Sequence, residues 1–162
     1  MKRILFAAAL LAPLPALAQP TPPPTKLFTA GTDIPALTAK AKAEQKSPAV
    51  NSVQPIATLT PYRVQLEYRT GLTPPTVHHG EAELIHVIQG SATLVTGGHL
   101  TGIQPSRPGS TTDSGTGIEG AVPQKLTAGD YVLVPPETAH QFQDVTGEFV
   151  IMSVHMFMPP VK

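Results

Sequence analysis

The sequence predicts an all-β, single-domain protein, a sandwich or barrel of antiparallel strands preceded by one short helix. Two observations support this class: many short apolar runs separated by Gly and Pro turns, and regular alternation within those runs. The run from Tyr62 to Arg69 is apolar at every second residue, which is typical of a half-buried strand. After residue 46, no stretch has the pattern of a helix.

Further strands are predicted where apolar runs lie between turn residues. They cover residues 83–89, 92–96, 131–134, 141–143 and 149–157. Between them, residues 97–122 are rich in Gly, Ser, Thr and Pro, and we expect a long excursion from the strands. Upstream, Pro35 in a first turn predicts a short surface helix that continues to about residue 44, and residues 47–55 are expected to form a loop.

The N-terminus has the features of an export signal. Lys2 and Arg3 precede the apolar run of residues 4–14, and Ala16-Leu17-Ala18 supplies a small-x-small cleavage site. We therefore expect a signal peptide over residues 1–18, a Pro-rich disordered leader with the short helix over 19–55, and the β-domain over 56–158. The expected location is periplasmic or secreted, with no membrane anchor after cleavage.

Charge and cysteine content exclude several function classes. Without Lys2 and Arg3, nine basic and eleven acidic residues remain, so nothing favours a nucleic-acid partner. The chain has no cysteine, which excludes disulfides, zinc fingers, iron–sulfur clusters and thiol nucleophiles.

Two stretches carry candidate metal ligands. His78 and His79 precede Glu83 by a few residues, and His140 follows a second strand about forty residues later. Residues two apart on a strand share a face, so His79 and Glu83 are expected on one face, and Glu81 with them. Imidazoles and a carboxylate from two β-elements are a usual ligand set for Fe, Mn, Ni, Cu or Zn. The alternative is a polar strand end whose histidines only form hydrogen bonds.

These stretches resemble the two motifs of the cupin family. The first motif, G-x5-H-x-H-x3–4-E-x6-G, is matched by His79, Glu83 and Gly90. The second, G-x5-P-x-G-x2-H-x3-N, is matched in part, at the following positions: Gly129, Pro135 and His140 agree, whereas Glu137 replaces the glycine and Asp144 the asparagine. The resemblance implies a cupin-type antiparallel β-barrel or jelly roll, with one divalent transition metal at its mouth.

One position departs from the pattern. The first histidine of the motif would fall at Val77. Three alternatives follow: a bulge brings His78 to the metal, Glu81 substitutes for it, or water completes a site of three protein ligands. The implied ligands are His78, His79, Glu83 and His140. His155, between apolar residues of the last strand, is expected to be a core or interface histidine.

The family resemblance leaves the activity open. One hypothesis is a mononuclear metal enzyme of dioxygenase or isomerase/lyase type acting on a small organic molecule, with Glu81 as the candidate general base. A second is a binding module for a sugar, an organic acid or the metal, without turnover. A third is a structural barrel that pairs with a second copy through the apolar last strand.

Overall fold

The computed structural model describes residues 23–104 and 107–158; the expected signal peptide lies outside these residues. The described chain begins with a 3₁₀ turn at Gly31–Asp33 and a single α-helix, α1, at Ile34–Glu44. Twelve strands follow in the same described ranges, with these bounds: β1 Ser52–Leu59, β2 Tyr62–Arg69, β3 Thr76–His78, β4 Glu81–Gln89, β5 Ser91–Thr96, β6 His99–Thr101, β7 Thr112–Ser114, β8 Gly117–Glu119, β9 Val122–Thr127, β10 Tyr131–Val134, β11 His140–Gln143 and β12 Phe149–Phe157.

The strands form two five-stranded antiparallel sheets that pack face to face. The first sheet has the order β1-β2-β12-β4-β10, and the second has the order β7-β3-β11-β5-β9. Strands β6 and β8 pair as a separate two-stranded ribbon. Neighbours in each sheet are mostly distant in sequence, as in a jelly roll, and the sheets do not close into one continuous barrel. The predicted all-β class with one short N-terminal helix is confirmed.

An apolar core fills one end of the space between the sheets. Ile85 and Ile151 from the first sheet meet Leu94 and Phe142 from the second, and all four are buried. The Phe142 and Phe149 rings lie 5.2 Å apart between centroids, within the range of favourable aromatic pairs. This packing holds the two sheets together and leaves the other end of the space for polar residues.

Strand β2 has its apolar face outside the sandwich. Leu66 and Tyr68 are buried on that face, where Ala41 of α1 covers them together with Val150 of β12. The predicted alternation of β2 is therefore present, and its apolar side forms a second, smaller core under the helix. The opposite side of β2 faces inward and carries Arg63, Gln65, Glu67 and Arg69, which line a cavity.

The strand boundaries agree closely with those predicted for three of the strands. Strands β2, β10 and β12 have the predicted bounds. Strand β1, however, begins at Ser52, inside the stretch expected to be a loop. Residues 97–122, expected to be an excursion, contain the short strands β6, β7 and β8. Each of these has only three residues, too few to produce a readable alternation.

The outer face of the first sheet includes exposed apolar side chains on its edge strand. Tyr131 and Leu133 of β10 are 66% and 56% exposed. Pairing of two copies through this face stays a prediction. Among the described residues, no helix combines the length and apolar character needed to cross a membrane.

Candidate metal centre

Three histidines and one glutamate converge at the polar end of the inter-sheet space. Glu83 Oε2 lies 3.2 Å from His140 Nε2 and 3.5 Å from His78 Nε2. Glu83 Oε1 lies 3.7 Å from His155 Nε2. The His78 ring is 5.2 Å from the His140 ring and 5.1 Å from the His155 ring, measured between centroids. The ligand atoms of His78, Glu83 and His155 all lie within 4.8 Å of one another, and His140 adjoins this group through Glu83.

Strand register brings these residues together from both sheets. In the first sheet, His155 of β12 is directly opposite Glu83 of β4 on one side and Arg63 of β2 on the other. In the second sheet, His140 of β11 is opposite Thr76 of β3, two residues before His78. Because side chains directly opposite one another on antiparallel strands are close neighbours, this register alone places His155 beside Glu83.

Burial and hydrogen bonding shift the pKa values of Glu83 and His155. Burial acts to raise the pKa of Glu83, but hydrogen bonds from His140 and His78 outweigh it and hold that pKa well below its usual value. Burial lowers the pKa of His155, which favours its neutral imidazole. An ionised carboxylate and a neutral imidazole are the forms that bind metals.

The cluster fits a transition-metal ion in donor type and spacing. Metal bonds to imidazole nitrogen and carboxylate oxygen of about 2.0 to 2.2 Å separate neighbouring ligand atoms by roughly 3 to 3.5 Å. The distances from the Glu83 oxygens to the three histidines are close to this range. A ligand set of three imidazoles and one carboxylate is compatible with Fe, Mn, Ni, Cu and Zn, so it does not identify the metal.

Arg63 and Glu81 hold the Nδ1 side of the His155 ring. The Nδ1 atom lies 3.1 Å from Arg63 Nη2 and 3.4 Å from Glu81 Oε2, and Arg63 Nη2 also donates to Glu81 Oε2 at 2.8 Å. The Nε2 atom lies 3.1 Å from the side-chain nitrogen of Gln65 and 3.7 Å from Glu83 Oε1. Residues that hold a histidine ligand from behind are common in metal sites.

Glu81, the candidate general base, is therefore a buried and fully engaged residue. Arg63 Nη2 donates to its Oε2 at 2.8 Å, and Thr111 Oγ1 donates to its Oε1 at 3.0 Å. Burial acts to raise the pKa of Glu81, but Arg63 outweighs it and the pKa is lowered. A carboxylate with a lowered pKa is a weaker base, and these contacts suit a role in positioning His155.

The structure does not bring His79 to the cluster. A turn with Gly80 at φ +67° lies between β3 and β4. His79 is in this turn and not on β4, so it does not share a strand face with Glu81 and Glu83. Its Nδ1 lies 2.6 Å from Glu137 Oε2, and its Nε2 lies 2.9 Å from Asp113 Oδ2. His78 enters the cluster in its place. The motif permits either three or four residues between its second histidine and its glutamate. Four residues separate His78 from Glu83, so His78 matches the second histidine and Thr76 stands at the position of the first.

His155 is the member of the cluster that sequence reasoning assigned to the core. A signal was present, because Ser153 and His155 share the parity of the buried Phe149 and Ile151 on β12. Polar residues on the inward parity of an otherwise apolar strand point to a polar interior. The other histidines are elsewhere: His86 stacks on Tyr131 at 4.1 Å between centroids, and His99 is exposed near Glu119.

The cluster forms one wall of a cavity of about 390 Å³. The cavity continues along the inward side of β2, where Glu67 accepts hydrogen bonds from Ser153, Asn51 and Arg69. Arg69 also stacks over the Phe142 ring, with its guanidinium carbon 4.8 Å from the ring centroid. A small organic molecule would fit between this polar wall and the histidines.

Comparison with known proteins identifies the fold. No protein-family model matches the sequence, and no curated protein sequence matches it. Among solved structures, a cupin superfamily protein from Desulfitobacterium hafniense DCB-2 matches with a TM-score of 0.50 and 12% identity, over 85% of this chain and all of that one. A hydroquinone 1,2-dioxygenase in complex with Cd²⁺ and 4-hydroxybenzonitrile matches with a TM-score of 0.51 and 18% identity, over 85% of this chain and 82% of that one. The chain has the cupin fold, as the motif resemblance implied.

Proposed function

We propose that this cupin is a metal-binding protein that takes a small organic molecule into its inter-sheet cavity. His78, Glu83, His140 and His155 would hold one divalent transition metal. The observation that carries the proposal is the convergence of three imidazoles on the two oxygens of the buried Glu83, at 3.2 to 3.7 Å. The hydroquinone dioxygenase of similar fold supports it, because that protein binds Cd²⁺ and an aromatic ligand.

The chemistry available depends on which metal is bound. A redox-active metal would supply dioxygenase chemistry, and Zn or Ni would polarise a carbonyl or hydroxyl group. The residues of this chain bind and orient: Arg63 and Glu81 hold the Nδ1 side of the His155 ring, and Gln65 lies against its Nε2 side. The charged residues that line the cavity are two carboxylates and two guanidinium groups, namely Glu67, Glu83, Arg63 and Arg69.

Binding without turnover is the second candidate, and one observation favours it. The two buried carboxylates near the cluster that are outside the ligand set, Glu67 and Glu81, are each paired with an arginine, at 2.6 and 2.8 Å. A general base must be free to take a proton from the substrate, so these pairings argue against proton abstraction by either residue. The Glu81→Gln variant tests this point: an enzyme that uses Glu81 as a base would lose turnover even when loaded with metal, and retained turnover would exclude that role.

Metal analysis of the purified protein tests the proposal. We expect about one Fe, Mn, Ni, Cu or Zn per chain, lost on His140→Ala substitution with the fold retained. A matched His99→Ala variant, whose histidine is exposed and remote, should keep the metal. If the wild-type protein holds no metal and takes up none when each of the five ions is offered, the metal-binding function is wrong.

We further propose that the protein is exported. The support is the N-terminal pattern of a basic pair, an apolar run and Ala16-Leu17-Ala18. Mass spectrometry of the protein isolated from the cell envelope and medium should find an N-terminus at Gln19. Recovery of the uncleaved chain from the cytoplasm would contradict export.

A further inference from the structure

We propose that His79, Glu137 and Asp113 form a brace that positions two of the metal ligands, His78 and His140. The proposal rests on the metal-binding function proposed above. The brace consists of His79, Glu137 and Asp113. None of the three lines the cavity, so their role would be to hold the segments that carry the ligands rather than to contact the metal or a substrate.

The brace joins two segments that each carry a ligand. His79 follows His78 at the end of β3, and Glu137 lies three residues before His140 at the start of β11. Glu137 Oε2 lies 2.6 Å from His79 Nδ1, and Glu137 Oε1 accepts from the Gly80 backbone N–H at 2.9 Å. The Glu137 N–H donates in turn to the His78 carbonyl at 3.0 Å. Three hydrogen bonds thus link the turn after His78 to the loop before His140.

The imidazole of His79 extends the brace to a third segment. Its Nε2 lies 2.9 Å from Asp113 on β7, and its own backbone N–H donates to the Thr111 carbonyl at 2.7 Å. Both ring nitrogens therefore face carboxylates, and both donate when the ring is charged. This arrangement leaves neither nitrogen available to a metal.

The backbone at Glu137 is consistent with a role for its side chain. Its φ is +59°, in the left-handed region where residues with a side chain are uncommon. The cupin motif has glycine at this position. Glutamate here carries the strain of a left-handed residue, and its carboxylate makes the contacts that hold the brace. Asp144, at the motif asparagine, has the same backbone feature at φ +51° and lies in the turn before β12.

The positions of His78 and His140 depend on the spacing that the brace sets. The centroids of their rings are 5.2 Å apart. The Nε2 atoms of both histidines lie next to the same oxygen, Oε2 of Glu83. Residues behind metal ligands commonly change metal affinity about 10- to 100-fold when they are replaced. Loss of the brace is therefore expected to weaken metal binding while the ligands themselves stay in place.

Competition with a chromophoric chelator, using Co²⁺ alone as the probe, tests the proposal. We expect Glu137→Gly to raise the Co²⁺ dissociation constant about tenfold and to alter the Co²⁺ absorption spectrum. Glu137→Gln, which keeps an oxygen for the Gly80 N–H, should recover part of the affinity. Asp144→Gly is the matched control, because it gives glycine at the other left-handed position and should change neither quantity.

A double variant shows whether His79 and Glu137 act together on metal binding. If they do, His79→Ala combined with Glu137→Gly should bind Co²⁺ no more weakly than the weaker single variant. An unchanged affinity and spectrum in Glu137→Gly, beside a wild-type protein that binds Co²⁺, would overturn the brace and leave the metal site standing. Absence of Co²⁺ binding by the wild-type protein would overturn both.

Discussion

His155 lies between two glutamates, with Nδ1 3.4 Å from Glu81 and Nε2 3.7 Å from Glu83. Glu81 holds the ring together with Arg63, whose Nη2 lies 3.1 Å from the same Nδ1, and Glu83 lies on the Nε2 side at the cluster. This relationship makes the last strand a contributor to the candidate site. It also replaces the imidazole that the motif would place on β3, where this chain has Thr76.

His155 and His79 should differ sharply in their effect on metal binding. His155→Ala removes a nitrogen that faces the cluster, and we expect metal to be lost or its affinity reduced more than about 100-fold. His79→Ala should keep the stoichiometry near one and weaken binding by only about tenfold. Elemental analysis and chelator competition measure both quantities. The opposite order of effects would restore His79 to the ligand set.

The protonation of His79 provides a second test of its surroundings. Hydrogen bonds to Asp113 and Glu137 raise the pKa of His79 above its ordinary value of 6.5. The His79 imidazole resonance of the metal-free protein should therefore titrate above pH 6.5. Replacing Asp113 by Asn should bring it down.

The raised pKa of His79 also fixes the sign of a stability effect. A group whose pKa is higher in the folded state stabilises that state fully below its unfolded pKa, and loses the effect as pH rises through the folded pKa. As pH rises above the ordinary histidine value of 6.5, the free energy of unfolding should thus fall more in the wild-type protein than in His79→Gln. Parallel pH profiles for the two proteins would contradict the charged brace.

Gly90, the closing glycine of the first motif, is required by both conformation and space. Its φ is +83°, and an added Cβ would lie 2.2 Å from the Glu148 carbonyl oxygen. Gly97 has a similar φ of +87° with nothing within 4 Å of an added Cβ, so it is the matched control. In denaturant unfolding we expect Gly97→Ala to cost about 1 to 2 kcal/mol and Gly90→Ala to cost roughly 1 to 3 kcal/mol more. Equal losses would mean that the Glu148 segment moves aside.

The second core under α1 can be tested at Leu66. Its side chain is fully buried against the helix, so Leu66→Ala should lower the free energy of unfolding by about 2 to 5 kcal/mol. Tyr62 lies on the same face of β2 but is 49% exposed, and Tyr62→Ala should cost far less. A small loss at Leu66 would show that the helix is not packed on the strand in solution.

Local patterns in the sequence predicted six of the twelve described strands. Alternation predicted the bounds of β2, where one face is apolar and the other polar, and apolar runs between turn residues predicted those of β10 and β12. Alternation did not predict which side of β2 faces the space between the sheets. The apolar side is covered by α1, and a contact between residues 41 and 66 leaves no signal in either local pattern.

The candidate site was predictable only in part. The sequence grouped His78, Glu83 and His140, and the structure brings these three together. Parity counting assigned His79 to the same face, but it assumed one continuous strand, whereas the turn at Gly80 interrupts it. His155 depends on the register between β12 and β4, which is a long-range property of the sheet.

The distribution of the four proposed ligands over both sheets has a consequence for folding. His78 and His140 lie on one sheet, Glu83 and His155 on the other, and the chain has no cysteine to cross-link them. A metal held there would bind only after the sheets have docked, since the unfolded chain does not present these side chains together. The metal would act as a reversible link between the sheets, and its stabilising effect would depend on the concentration of the free ion. At 100 times the dissociation constant, it would add about 2.7 kcal/mol to the free energy of unfolding. When the metal is scarce, the free energy of unfolding would be lower. The metal-free protein would then be more susceptible to proteolysis than the metal-bound form.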